Sequence, residues 1–200
     1  MEEDVYKTCV GLSEGLYKEK GSKFISFLYP VNSEEQIKDI IKEIKTKYYD
    51  ARHRCFAYML GSERLDYRHY DDGEPSSTAG KPILGQILSN ELTDVLIVVI
   101  RYFGGVKLGV PGLINAYKTA AASAISNNYI VEKTVDKSVV VTFNYPEMND
   151  VMKLVKDMNV DVVERKFEIS CEMTLSIRQL NFEQLCKRLQ TIPFLILKKL

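Results

Sequence analysis

What this sequence lacks removes several classes of function at once. Its longest apolar run is residues 95–100, far short of the roughly 20 residues a membrane-spanning helix needs. The opening Met1-Glu2-Glu3-Asp4 is acidic, whereas an export signal begins basic and turns apolar, so a soluble cytoplasmic protein is expected. The four cysteines, Cys9, Cys55, Cys171 and Cys186, form no C-x-x-C pair and have no histidine cluster beside them. That argues against structural zinc and for thiols packed as small hydrophobes. Nor is there a basic excess. Residues 1–130 carry 16 Lys/Arg against 17 Asp/Glu and residues 131–200 carry 11 against 10, which together make the 27 and 27 of the whole chain. Tight nonspecific nucleic-acid binders gain most of their free energy from phosphate neutralisation and show that excess. Any nucleic-acid contact must here come from a local patch. No short-period repeat and no low-complexity tract is present.

What the chain does contain is ordinary globular material, 46% hydrophobic and 27% charged. The first residues read as strands with a hairpin turn at Gly21-Ser22. Residues 33–49 predict a helix, with Ser33 as N-cap and Gln36 completing a capping box. Ile37, Ile40, Ile41, Ile44 and Tyr48 give it one buried face. Strands are expected at 52–60 and 65–70, a loop over 71–81 and a short helix over 82–88. The β-branched run 95–100 reads as a central strand covered on both faces. A helix over 111–127, small on one side through Ala120, Ala121, Ala122 and Ala124, ends this part. The last 70 residues give strand, helix, strand, strand, helix, strand, the βαββαβ order of a ferredoxin-like sandwich. The fold class is therefore α+β, with domains at 1–130 and 131–200.

Three clusters carry the chemistry. In Ala51-Arg52-His53-Arg54-Cys55-Phe56-Ala57-Tyr58, strand alternation puts His53 and Cys55 on one face. A Cys–His nucleophile is the sharp reading. Two residues apart on a strand is about 6.6 Å along the axis, beyond direct hydrogen-bond reach, so a buried thiol beside a structural histidine is the plainer one. In Asp71-Asp72-Gly73-Glu74-Pro75-Ser76-Ser77-Thr78-Ala79-Gly80-Lys81, carboxylates beside hydroxyls suit magnesium or acid–base work. The same residues also suit a loop whose side chains bond its own backbone. Pro75 stands where a phosphate loop ending at Gly80-Lys81 requires glycine. In Arg101-Tyr102-Phe103-Gly104-Gly105-Val106-Lys107-Leu108-Gly109, a turn before a helix can cradle an anion on backbone N–H groups. Here glycine equally serves tight turns, and the spacing is not that of a dinucleotide fingerprint. Arg101, Tyr102 and Phe103 offer phosphate contact and base stacking. The candidate ligand-binding residues are His53, Asp72, Glu74, Ser76, Thr78, Lys81, Arg101, Tyr102, Gly104, Gly105 and Lys107. No catalytic residue, metal or cofactor is assigned.

Together with Glu19-Lys20-Gly21-Ser22-Lys23-Phe24, these stretches resemble the YigZ/IMPACT family in the same order. The resemblance implies a first domain like a fold shared by a ribosomal-protein domain and the fourth domain of elongation factor G. It implies a ferredoxin-like second domain like the fifth domain of that factor. Eukaryotic relatives are regarded as regulators of translation under amino-acid starvation, which implies a noncatalytic protein with RNA, the ribosome or a translation-regulatory protein as partner. An enzyme acting through Asp72, Glu74 and Arg101 on a small phosphorylated or carbonyl substrate, and a protein–protein adaptor, are the alternatives. Two positions depart from the family's usual pattern: Ser77 where glycine is frequent, and Leu108-Gly109-Val110-Pro111-Gly112 in place of Leu-Gly-Thr-Gly-Gly.

Overall fold

The structure, a computed structural model, describes residues 4–200; Met1, Glu2 and Glu3 of the acidic opening lie outside them. The chain separates into two compact units, one of residues Tyr6–Lys133 and one of Thr134–Leu200 together with Asp4 and Val5.

The first unit runs β1 (Val5–Cys9), β2 (Ser13–Glu19), β3 (Ser22–Pro30), α1 (Glu34–Lys47), β4 (His53–Leu60), β5 (Asp66–Tyr70), α2 (Gly80–Ser89), β6 (Val95–Tyr102), α3 (Gly109–Ser126) and β7 (Ile130–Thr134). Strands β2-β3-β6-β4-β5 form an antiparallel sheet with β6 at its centre, and β1 pairs with β7 apart from it. Helix α1 lays Ile37 and Ile44 on one face, against Phe27, Val98 and Ile100. Helices α2 and α3 cover the other, where Ile83 and Ala120 meet Cys55, Ile97 and Val99. Burial from both sides explains why β6 reads as an unbroken apolar run. The alanine side of α3 lets it approach closely. Ser13 and Ser26 donate from the sheet to the carbonyls of Ala124 and Ala120 at 2.7 and 2.6 Å.

Local details depart from expectation for physical reasons. The β2–β3 turn is Lys20-Gly21, both at positive φ (45° and 77°), as the hairpin's twist demands. Ser22 is instead the first, fully buried residue of β3. Ser33 caps α1, but Gln36 reaches back to the amide of Asn32, not to that of Ser33. Arg101 and Tyr102 belong to β6, not to the loop beyond it.

The second unit contains β8 (Asp136–Phe143), a 3-10 turn at Tyr145–Glu147, α4 (Met148–Asp157), β9 (Asp161–Phe167), β10 (Cys171–Arg178), α5 (Gln179–Leu189) and β11 (Ile196–Lys199). Its sheet is ordered β11-β8-β10-β9 and antiparallel throughout. Alternate residues Cys171, Met173, Leu175 and Ile177 of β10 are buried with Leu154, Phe182 and Leu185 of the two helices. Asp4 joins this unit through Arg178, whose Nε and Nη2 donate to its carboxylate at 2.9 and 2.8 Å. Among the described residues no helix is long and apolar enough to cross a membrane.

Candidate functional site

Register builds the floor of the site. Phe24 of β3 stands opposite Arg101 of β6, and Arg101 stands opposite His53 of β4. The three occupy one row across the end of the sheet, on the face that carries α2 and α3. Arg101 lies 5.4 Å from the ring centre of Phe24 and 5.6 Å from that of Phe103, within cation–π range.

The 71–79 loop brings a carboxylate to this row. Asp71 organises it, its two oxygens accepting from the amides of Ala79 (3.0 Å), Gly80 (2.8 Å) and Ser77 (2.9 Å). Thr78 closes a tight turn onto the carbonyl of Pro75 at 2.7 Å. Held this way, Glu74 buries its side chain to 3% exposure and accepts from Arg101 Nη1 at 2.6 Å and from the Tyr117 hydroxyl at 2.8 Å. His53 Nε2 is 3.7 Å from the same Glu74 oxygen. Its Nδ1 lies 2.8 Å from the carbonyl of Asp72, and since a carbonyl only accepts, Nδ1 carries the proton there. Cys55 is fully buried, and its thiol donates to the carbonyl of Asp71 at 3.0 Å. Burial pushes the Cys55 thiol and the Tyr117 phenol well above their usual ranges. Both stay protonated at neutral pH, so Cys55 is no thiolate nucleophile.

The second loop completes a cleft of about 540 Å³. Arg52, His53, Glu74, Pro75 and Arg101 face Phe103, Lys107, Leu108, Gly109, Val110 and Leu113 across it. The two separated loops thus meet beside β6. Arg52 and Lys107 form no ion pair with any described residue. Three cations therefore face the single carboxylate of Glu74.

Of the candidates, His53, Glu74, Arg101 and Lys107 line this cleft. The others lie elsewhere. Asp72 turns its carboxylate to the amide of Arg54 at 2.7 Å. Tyr102 points to the α1 face, its hydroxyl donating to Asp50 at 2.9 Å. Gly104 packs on the backbone of Gly21 and Ser22, where a Cβ would collide, and its amide donates to Ser22 Oγ. Gly105 turns the chain at φ +89°. Thr78 is buried in its own loop, while Ser76 and Lys81 are exposed. Arg52, Phe103 and Tyr117 were absent from the candidate set. Arg52 carries a signal in its place two residues before Arg54 at the strand entry, but nothing local marks Tyr117 within an alanine-rich helix.

The sequence model of the Impact N-terminal domain matches residues 20–125, more than half of the chain and all of the cleft. The chain belongs to the IMPACT family. YvyE of Bacillus subtilis, an IMPACT family member, is 37% identical over 124 residues, covering 62% of this chain and 57% of that protein. The chain thus matches little more than half of YvyE's length. YigZ of Escherichia coli, another IMPACT family member, is 29% identical over 153 residues, 74% of each chain. A solved structure described as that of a hypothetical protein superposes with a TM-score of 0.75 at 23% identity and covers 98% of both chains. This last likeness is one of fold.

Proposed function

We propose that this IMPACT-family chain is a noncatalytic binding protein of the translation apparatus, working in the cytoplasm, with RNA or the ribosome contacted through the cleft face of its first unit. The observation that carries the reading is that Arg52 and Lys107, neither of them in an ion pair with a described residue, line the same cleft as the 49%-exposed Phe103. Cations supply phosphate contacts and an exposed ring supplies a stacking surface. Family membership supports the translational setting, because the resemblance implies regulators of translation among eukaryotic relatives. A translation-regulatory protein as the direct partner would use the same rim.

The two units are read as the fold shared by a ribosomal-protein domain and elongation factor G's fourth domain, and as a ferredoxin-like sandwich. The second assignment draws support from the βαββαβ order and the β11-β8-β10-β9 sheet. The enzymatic reading is supported by Glu74 lying beside Arg101 and His53, but Asp72, its second carboxylate, is occupied by Arg54. Sedimentation with ribosomes at low salt tests the main reading. The wild type should pellet with them and an Arg52→Ala/Lys107→Ala double variant should not. Equal recovery of the two proteins, or no association of either, rejects it.

A further inference from the structure

We propose that the outer edge of β5 is a pairing surface for a second copy of this chain, joined antiparallel in a single register. This does not rest on ribosome binding through the cleft, which no residue of β5 lines.

β5 pairs with β4 alone, so it ends the five-stranded sheet, and all of its residues from Asp66 to Tyr70 are exposed. Hydrogen bonds at the two ends of β4 fix which backbone groups of β5 stay open. The Arg54 amide donates to Asp72, on the β5 side, and the Gly61 amide donates to Asp94, on the β6 side. Successive residues of a strand direct their N–H and C=O to opposite edges, so Phe56, Tyr58 and Leu60 bond toward β5. Their partners Tyr70, Arg68 and Asp66 direct their own groups back to β4. The N–H and C=O of Tyr67 and His69 therefore point outward, as a template for another strand.

Proteins often blunt such an edge with lysine or proline, and β5 has neither. It carries Tyr67, 56% exposed, two residues after the 82%-exposed Leu65. Its charges, Asp66 and Arg68, form no ion pair with a described residue. Those charges select the partner. A two-fold axis through Tyr67 sets Asp66 opposite the partner's Arg68 and Arg68 opposite the partner's Asp66, reciprocally, as an isologous contact requires. Both are non-hydrogen-bonded pairs, the closer kind, where opposite charges gain most. They share the face that carries α1, because their β4 neighbours are Leu60 and Tyr58. On the other face Tyr67 meets Tyr67 as a hydrogen-bonded pair, and Leu65 meets His69. An axis through Asp66 or Arg68 would set like charges face to face, which is destabilising, and one through His69 would set Asp66 against Asp72. β5 thus matches itself in charge order and in hydrogen-bond phase, which favours a second copy over an unrelated extended segment. The ladder is short. Its interface falls below the roughly 1,000 Å² of a stable complex, so the dimer is reversible and forms between about 10 µM and 1 mM.

Sedimentation equilibrium on the full chain across that range, with amide exchange followed by NMR, tests this. The average mass should rise toward that of a dimer, and exchange at the Tyr67 and His69 amides should slow as concentration increases. Asp66→Arg and Arg68→Asp, each alone, should weaken association about tenfold or more, because both charge pairs become repulsive. An equimolar mixture of the two variants should associate again, since every charge then faces its opposite. Recovery on mixing cannot come from chains that have lost their fold, so it reads the interface itself. A monomer at every concentration leaves the edge to an unrelated strand and overturns the inference. A dimer that both single variants retain, a mixture that fails to recover, or a dimer without added protection at Tyr67 also overturns it.

Discussion

Glu74 brings a carboxylate into a nearly dry pocket, and its neighbours decide whether that is tolerable. An isolated buried charge is expensive, while a pair with further hydrogen bonds comes close to breaking even. Arg101 and Tyr117 supply those bonds. Arg101→Met should destabilise the protein by about 3–5 kcal/mol, because it leaves the carboxylate with Tyr117 and the more distant His53. Adding Glu74→Gln to that variant should recover most of the loss. Urea denaturation of the two single variants and the double reads the cycle. If the double variant is as unstable as Arg101→Met alone, the penalty lies in lost packing and not in charge. Ser77 makes a second case at this scale. It stands at φ +63°, in the left-handed region that favours glycine. Ser77→Gly removes a strain of roughly 1–2 kcal/mol, partly offset by the looser unfolded chain. A net gain of about 1 kcal/mol in the same denaturation experiment is expected. A loss would mean that the serine side chain contributes more than its backbone costs.

At the scale of elements, helices and buried strands were legible because their signals are local. Ser33 with the isoleucine stripe of α1, and the two-sided apolar run of β6, specify their structures within a few residues. β1 and β7 were not legible as a pair, since strands at Val5–Cys9 and Ile130–Thr134 are brought together only by everything folded between them. The convergence of the two loops was legible as a hypothesis, but its details were not. Which of Asp72 and Glu74 enters the cleft follows from Asp71 and Thr78 turning the loop, and Tyr102 leaves the site because strand alternation sends it to the face opposite Arg101. The link between Asp4 and the β10–α5 junction is another long-range element contact, and it titrates. The hydrogen bond from Arg178 holds the Asp4 carboxyl below its ordinary 3.8, with the Leu180 amide helping and burial opposing. A carboxyl depressed in the folded state stabilises fully above its unfolded value, and that stabilisation disappears as the pH falls through the folded one. Asp4→Asn should therefore lower the thermal midpoint at neutral pH, and its gap from the wild type should close as the pH drops below 3.8. A gap that persists unchanged in acid would show that the ion pair is not its source.

For the whole molecule, charge sets how any RNA contact must behave. The chain carries 27 basic and 27 acidic side chains, so no broad field attracts phosphate, and a contact draws only on its local cations. On the cleft rim these are Arg52 and Lys107, since Arg101 is already spent on Glu74. Two neutralised phosphates on a single strand give a slope of about −1.4 in log K against log salt. A fourfold rise in salt should then weaken binding only about sevenfold, where a protein making 6–10 duplex phosphate contacts would lose roughly 10³–10⁵ over a similar range. Fluorescence anisotropy with a labelled single-stranded oligoribonucleotide measures the slope directly. A slope steeper than about −4 would require at least three or four further cations, more than the cleft contains, and would move the RNA contact to another surface of the protein.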